Sequence, residues 1–222
     1  MLVLCPRKMF NAFMSKKLPG VGLVGIAAPT CAGKTELLSE LCERLPKSSA
    51  VLSFDEYDLF PSGSEAMERE LVDKKITNWE DPGLFDMRAF AEDVGRIAQG
   101  YSVNLQTRSR ESIGRGENKR LFTPARVNFI EGIFVLIEPE VRVLMDETFY
   151  IDIPLDVMVE RRLERSKGGT DPWDQPEYIT GPMVEATREF VLPQRDLAGV
   201  VLNGLRSASQ LADQIIQFTG RF

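Results

Sequence analysis

Apolar residues fall in short runs that stop at polar turns, and most runs are followed by a stretch with helical spacing. Val21 to Ala28 (VGLVGIAA) leads into a Gly-Lys-Thr turn, and Glu36 to Leu45 continues with leucines at helical spacing, which predicts strand, loop and helix. Ser49 to Phe54 (SAVLSF) reads as a second buried strand that stops at the acidic cluster DEYD. Glu65 to Lys75 is charged and helical in propensity, NWEDPG breaks the chain, and Leu84 to Ala98 resumes an amphipathic helical pattern. Arg126 to Ile130 and Glu147 to Ile153 predict two further strands. Pro154 to Arg165 reads as a helix with arginines toward its end, Leu197 to Leu202 as a last strand, and Ser207 to Phe218 as a closing helix. The Gly/Pro-rich stretch KGGTDPWDQPEY is expected to be a mobile loop. Strands alternating with helices predict an α/β fold with a central parallel sheet covered on both faces, and ligands outside the carboxyl ends of its strands.

Three polar features follow predicted strands: the Gly-Lys-Thr loop, Asp55 and Glu131. APTCAGKT ends like a phosphate-binding loop but opens on Ala28 where the usual pattern has glycine. In such a loop, backbone N–H groups and a helix N-terminus converge on oxyanions. Gly33 lets the backbone turn close to a phosphate, Lys34 reaches the terminal phosphates, and Thr35 ligates Mg2+. Ala28 carries a conformational cost only if its position needs a positive φ. A carboxylate at Asp55 suits either a base that takes the proton of an attacking hydroxyl or a holder of the metal's water; an acidic helix cap is the plainer use. Glu131 suits an Mg2+ carboxylate. In ERRLERSKGG, Arg161 and Arg165 share a helix face, and the arginines before a glycine-rich segment read as a lid that delivers guanidinium groups to a transferring phosphate, or else as a charged exposed face.

Composition narrows the chemistry. With 27 basic and 33 acidic residues, the formal charge of -6 offers no global field toward nucleic acid or anionic lipid, so a small-molecule partner is expected and neither nucleic acid nor a membrane is. Histidine is absent, which removes Ser-His-Asp triads and imidazole metal sites and leaves carboxylate, Lys, Tyr or Cys as any general base. Cys5, Cys31 and Cys42 lack metal-ligand spacing and suit a reducing compartment. Nowhere do eighteen apolar residues run together, so no membrane span is read and a cytoplasmic location is expected. Residues 1–20 form an expected N-terminal extension ahead of a single domain over 21–222, and a homo-oligomer is left open.

The ordered set PTCAGKT, SFDEYDLF, NWEDPGLFD, QTRSRES, VNFIEGIF, YIDIP with RRLERS, and LPQRDLAGVVLNG resembles the uridine kinase and phosphoribulokinase family of phosphate-loop kinases, which includes the nicotinamide riboside kinases. The resemblance runs from about Val21 to the C-terminus. It implies a P-loop NTPase-type three-layer fold with a small lid near 166–178 and an acceptor-binding insertion near 60–120. It implies ATP, with Mg2+, on Pro29, Thr30, Cys31, Ala32, Gly33, Lys34, Thr35 and Glu36. Catalysis would fall to Asp55 as base, Lys34, Arg162 and Arg165, with Thr35, Glu131 and Asp55 at the metal. The acceptor would lie among Tyr57, Glu80, Arg108 and Arg110. Glu80 stands where the family resembles a ribose-binding aspartate, with Asp81 in the place of the following histidine. Arg108 stands where uridine kinases resemble a base-binding histidine, and a fixed cation with only donors cannot play a neutral imidazole's part. The implied activity is phosphotransfer to a hydroxyl of a nucleoside or riboside. The alternatives are a phosphorylated or carboxylated acceptor, for which Arg108, Arg110, Lys119 and Arg120 would supply cations, and a nucleotide-binding regulatory ATPase. Asn203 and Gly204 are candidates for adenine contact by position.

Overall fold

The computed structural model describes residues 17–59, 69, 80–106 and 119–219. In chain order these form β1 (Gly22–Ala27), α1 (Lys34–Arg44), β2 (Ser49–Ser53), α2 (Met87–Ala98), β3 (Val103–Leu105), β4 (Arg120–Phe122) and β5 (Val127–Gly132). There follow α3 (Pro139–Arg142), β6 (Glu147–Asp152), α4 (Leu155–Arg165), α5 (Pro176–Thr180), α6 (Pro182–Ala186), β7 (Val200–Asn203) and α7 (Ala208–Thr219). Five of the strands make one sheet in the order β2-β5-β1-β6-β7, every pair parallel. β1 lies at its centre and is buried over its whole length, as a strand with neighbours on both edges and helices on both faces must be.

The two-residue period of the strands sorts side chains into two cores. Leu23, Ala27, Ile130 and Tyr150 pack on one face with the apolar side of α2. Val24, Ile26, Phe129, Phe149 and Ile151 pack on the other with α1, α4, α5, α6 and α7. The result is a three-layer α/β fold. Asn128 lies on a strand between these cores, yet its side-chain amide is satisfied: it donates to the carbonyls of Gly22 (3.0 Å) and Ala125 (2.9 Å) and accepts from the Ala125 N–H (2.9 Å). These bonds fasten β5 to β1 at their amino ends, leaving the carboxyl ends to carry the site.

Several boundaries differ from the sequence pattern for local reasons. α2 starts at Met87 rather than Leu84, because the Asp86 carboxylate accepts from the Ala89 N–H at 2.9 Å and caps the helix there, while Pro82–Leu84 makes a separate 3-10 turn. β7 starts at Val200 rather than Leu197, since Leu192–Leu197 continues a helical path through 3-10 turns. The antiparallel pair β3–β4 is too short to carry a period. Where a mobile loop is expected, Pro172–Asp174 and α5 form helical turns, each with proline in its first turn, the position that tolerates a missing N–H. Residues 1–16 and, within the 60–120 insertion, 60–68, 70–79 and 107–118, which include the charged segment at 65–75 apart from Arg69, lie outside the described residues. Among the described residues no helix is long and apolar enough to cross a membrane.

At the carboxyl end of β5, Gly132 has φ 155°, and a Cβ there would collide with the Cβ of Phe54. Gly132→Ala should therefore cost about 2 kcal/mol or more, as overpacked core sites do. A fall in Tm of roughly 4 to 8 °C in calorimetry is the expected result for a chain of this size.

Candidate active site

The loop between β1 and α1 shows how alanine replaces its first glycine. Ala28 is fully buried in the core, and the left-handed conformations fall instead on Cys31 (φ 58°) and Gly33 (φ 88°). Gly33 precedes α1 without any side-chain cap, so the amino end of that helix is open to an anion. The Lys34 ammonium turns back on its own loop and donates to the carbonyls of Ala28 and Pro29, both at 3.3 Å. From α4, the Arg161 guanidinium donates to the Cys31 carbonyl at 3.2 Å and Arg165 to the Thr30 hydroxyl at 3.4 Å.

Facing this loop are carboxylates set by the neighbouring strands. Parallel pairing brings Ser53 of β2 level with Glu131 of β5, and the Ser53 hydroxyl donates to Glu131 Oε1 at 2.6 Å. Asp55 follows in a 3-10 turn, Phe54–Tyr57, where it is exposed. The turn is anchored by Phe54, whose ring packs 4.8 Å from Phe85, 5.0 Å from Phe90 and 5.8 Å from Phe134 between centroids. Burial raises the Glu131 carboxyl, with Lys34 opposing and Asp55 adding to the rise. Burial pushes Glu80 up to about 7 against the pull of Arg162, Lys34 and Arg165. Asp58 is pushed up to about 8 by burial and by the charge of Asp55.

Loop, carboxylates and α4 enclose a cavity of about 1190 Å³. Thr30 to Glu36, Asp55, Glu80, Glu131, Arg162 and Arg165 all border it. Pro29 takes part only through its carbonyl. Tyr57 does not border the cavity: it is buried among the aromatics of the core, its ring 5.2 Å from Phe90 and its hydroxyl donating to Asp93 at 3.0 Å. Its chain neighbours Glu56 and Asp58 do border the cavity. Arg162 is held within the 166–174 segment, donating to the Ser166 hydroxyl (2.5 Å), the Trp173 carbonyl (3.0 Å) and Asp174 (3.1 Å). It is Arg161 and Arg165, together on another face of α4, that reach the phosphate loop. Gly204 and Arg206 border the cavity after β7, whereas the Asn203 side chain accepts from the Leu205 N–H at 3.0 Å. Arg108 and Arg110 lie outside the described residues. Lys119 is exposed, and Arg120 reaches Glu56 at 3.3 Å. Glu56, Asp58 and Ser53 were legible only as part of the cluster SFDEYD, which does not say which of its members face inward.

Comparison with known proteins agrees with this architecture. Residues 23–209 match the Phosphoribulokinase / Uridine kinase family. The chain is 27% identical over 190 residues to a uridine kinase of Aliivibrio salmonicida, covering 81% of this chain and 85% of that protein. It is 29% identical over 199 residues to a uridine kinase of Vibrio vulnificus, covering 85% and 89%. The fold is similar to that of phosphoribulokinase from Rhodobacter spheroides, with a TM-score of 0.61 and 12% identity over 81% of this chain and 68% of that one. The match spans most of the chain and includes every strand of the parallel sheet, so the chain belongs to the phosphoribulokinase and uridine kinase family, whose members are ATP-dependent kinases of small molecules.

Proposed function

We propose that this kinase transfers the γ-phosphate of ATP to a hydroxyl of a nucleoside or riboside. The observation that carries the reading is one cavity with a cationic, N–H-rich loop on one side and the strand-end carboxylates Asp55 and Glu131 on the other. At about 1190 Å³ it exceeds the roughly 300–1,000 Å³ of a site for one small ligand, which fits two reactants meeting end to end. Lys34 and the open amino end of α1 would hold the triphosphate. The acceptor would lie against Glu80, with Arg108 and Arg110 as proposed further contacts.

The donor set suits Mg2+ of the kind bound chiefly by phosphate. Among the described residues no group of three or more His, Cys, Asp or Glu side chains is arranged to hold a metal, and Mg2+ commonly takes one or two protein oxygens together with water and phosphate. Thr35 would supply its hydroxyl, with Glu131 and Asp55 near, and the ion would neutralise charge on the phosphates. Asp55 would accept the proton of the acceptor hydroxyl as that oxygen bonds to the γ-phosphorus and the bond to the leaving ADP oxygen breaks. Arg161 and Arg165 would exchange their loop oxygens for phosphate oxygens and offset charge in the transition state.

Two tests follow from the carboxylates. Asp55→Asn should lower kcat by about 100-fold or more, the scale of a lost general base, while equilibrium binding of ATP is kept; turnover equal to wild type in an acceptor-dependent ADP-release assay would overturn the assignment. Asp58 and Glu80 bear on pH. Their folded values stand above the unfolded ones, so their charged forms oppose folding: the cost is absent in acid, grows as pH rises through the interval between 3.8 and about 8 for Asp58, and is complete above it. Asp58→Asn should therefore raise Tm at about pH 9 and change it little at about pH 4, as read from melts across that range.

A further inference from the structure

Within the cavity one carboxylate is half satisfied. Glu56 follows Asp55 in the 3-10 turn and is 9% exposed, and it borders the cavity beside Asp58 and Glu80. Its Oε1 accepts from Arg120 Nη2 of β4 at 3.3 Å, and its Oε2, also buried, has no hydrogen-bond partner. A carboxylate offers about four acceptor sites, and leaving a buried one unused costs roughly 1–3 kcal/mol. Asp55, Asp58 and Glu80 line the same cavity. Glu56 lines the cavity, so a ligand there is placed to supply the missing donor.

We infer that Glu56 reads the acceptor: Arg120 fixes one of its carboxylate oxygens, and the other accepts a hydrogen bond from a hydroxyl of a non-anionic, polyhydroxylated acceptor. This rests on the phosphotransfer reading above and narrows it. An acceptor that already carries phosphate or carboxylate at this end would meet the Glu56 carboxylate, in a cavity that Asp58 and Glu80 also line. The described cations bordering the cavity are Lys34, Arg161, Arg162 and Arg165 at the loop and α4, and Arg206 after β7. Arg120 is a positioning residue, because it acts through Glu56 and does not itself border the cavity. The plainer role for the pair is to tie the β3–β4 hairpin to the turn after β2, which would affect stability and leave acceptor choice alone.

The test is ADP release by the full chain with ATP and Mg2+, using uridine, cytidine and ribose as neutral acceptors and ribulose 5-phosphate and pantothenate as anionic ones. Wild type is expected to favour a neutral acceptor. Glu56→Gln should raise the KM of that acceptor about tenfold or more, the scale of a hydrogen bond to a charged group, with the KM of ATP unchanged. It should also narrow the kcat/KM ratio of neutral to anionic acceptors, which a structural tie would not move. Glu56→Asp, which keeps the charge but retracts the oxygen, gives the same KM shift if the glutamine variant melts early. Preference of wild type for an anionic acceptor, or an unchanged acceptor KM and ratio in both variants, overturns the inference while the kinase reading stands. ADP release indifferent to every acceptor overturns the phosphotransfer reading, and the inference with it.

Discussion

The site depends on how closely Phe54 can approach Gly132. These residues sit at the carboxyl ends of β2 and β5, and the absence of a side chain on Gly132 lets the Phe54 ring settle against the strand end. Phe85, Phe90 and Phe134 then close round that ring. With Phe54 buried, the chain has to turn there, and the residues that follow alternate in fate: Asp55 and Glu56 border the cavity while Tyr57 goes into the core. A hydrophobic contact thus fixes where an exposed carboxylate is presented. The Ser53–Glu131 bond, on the level above, fixes the second one.

Charges of both signs line the cavity: Lys34, Arg161 and Arg165 stand at the loop, and Asp55, Glu56, Asp58, Glu80 and Glu131 supply carboxyl groups. Burial makes the carboxyl side proton-hungry, as the raised values of Asp58 and Glu80 show, and the nearby cations hold that rise in check at Glu80. A wall of this kind is stable with uncharged or hydrogen-bond-donating company and unstable with further anions.

Much of this was legible in the sequence, because parallel strands buried on both faces leave continuous apolar runs and their polar exits stand out. VGLVGIAA before Gly-Lys-Thr, SAVLSF before Asp55 and RVNFI before Glu131 announce three adjacent strands whose ends meet. What periodicity could not supply was direction within a turn: in DEYD the pattern does not say that tyrosine goes inward, since the nearer ring that receives it, Phe90, lies far along the chain. The arginines of α4 pose the same difficulty. Their spacing groups Arg161 with Arg165, but that Arg162 is the one held back depends on Asp174, beyond the helix. β3 and β4, at three residues each, are below the length at which a pattern exists.

The rest positions of the loop cations carry one more consequence. Lys34, Arg161 and Arg165 lean on carbonyls and a hydroxyl, whereas Arg162 is locked to a carboxylate. A cation lent to a neutral dipole can be handed to an incoming anion without any ion pair being broken, so in the proposed reaction those three would serve as a reserve of positive charge on standby. Arg162, held by Asp174, would be the rivet that keeps the reserve within reach.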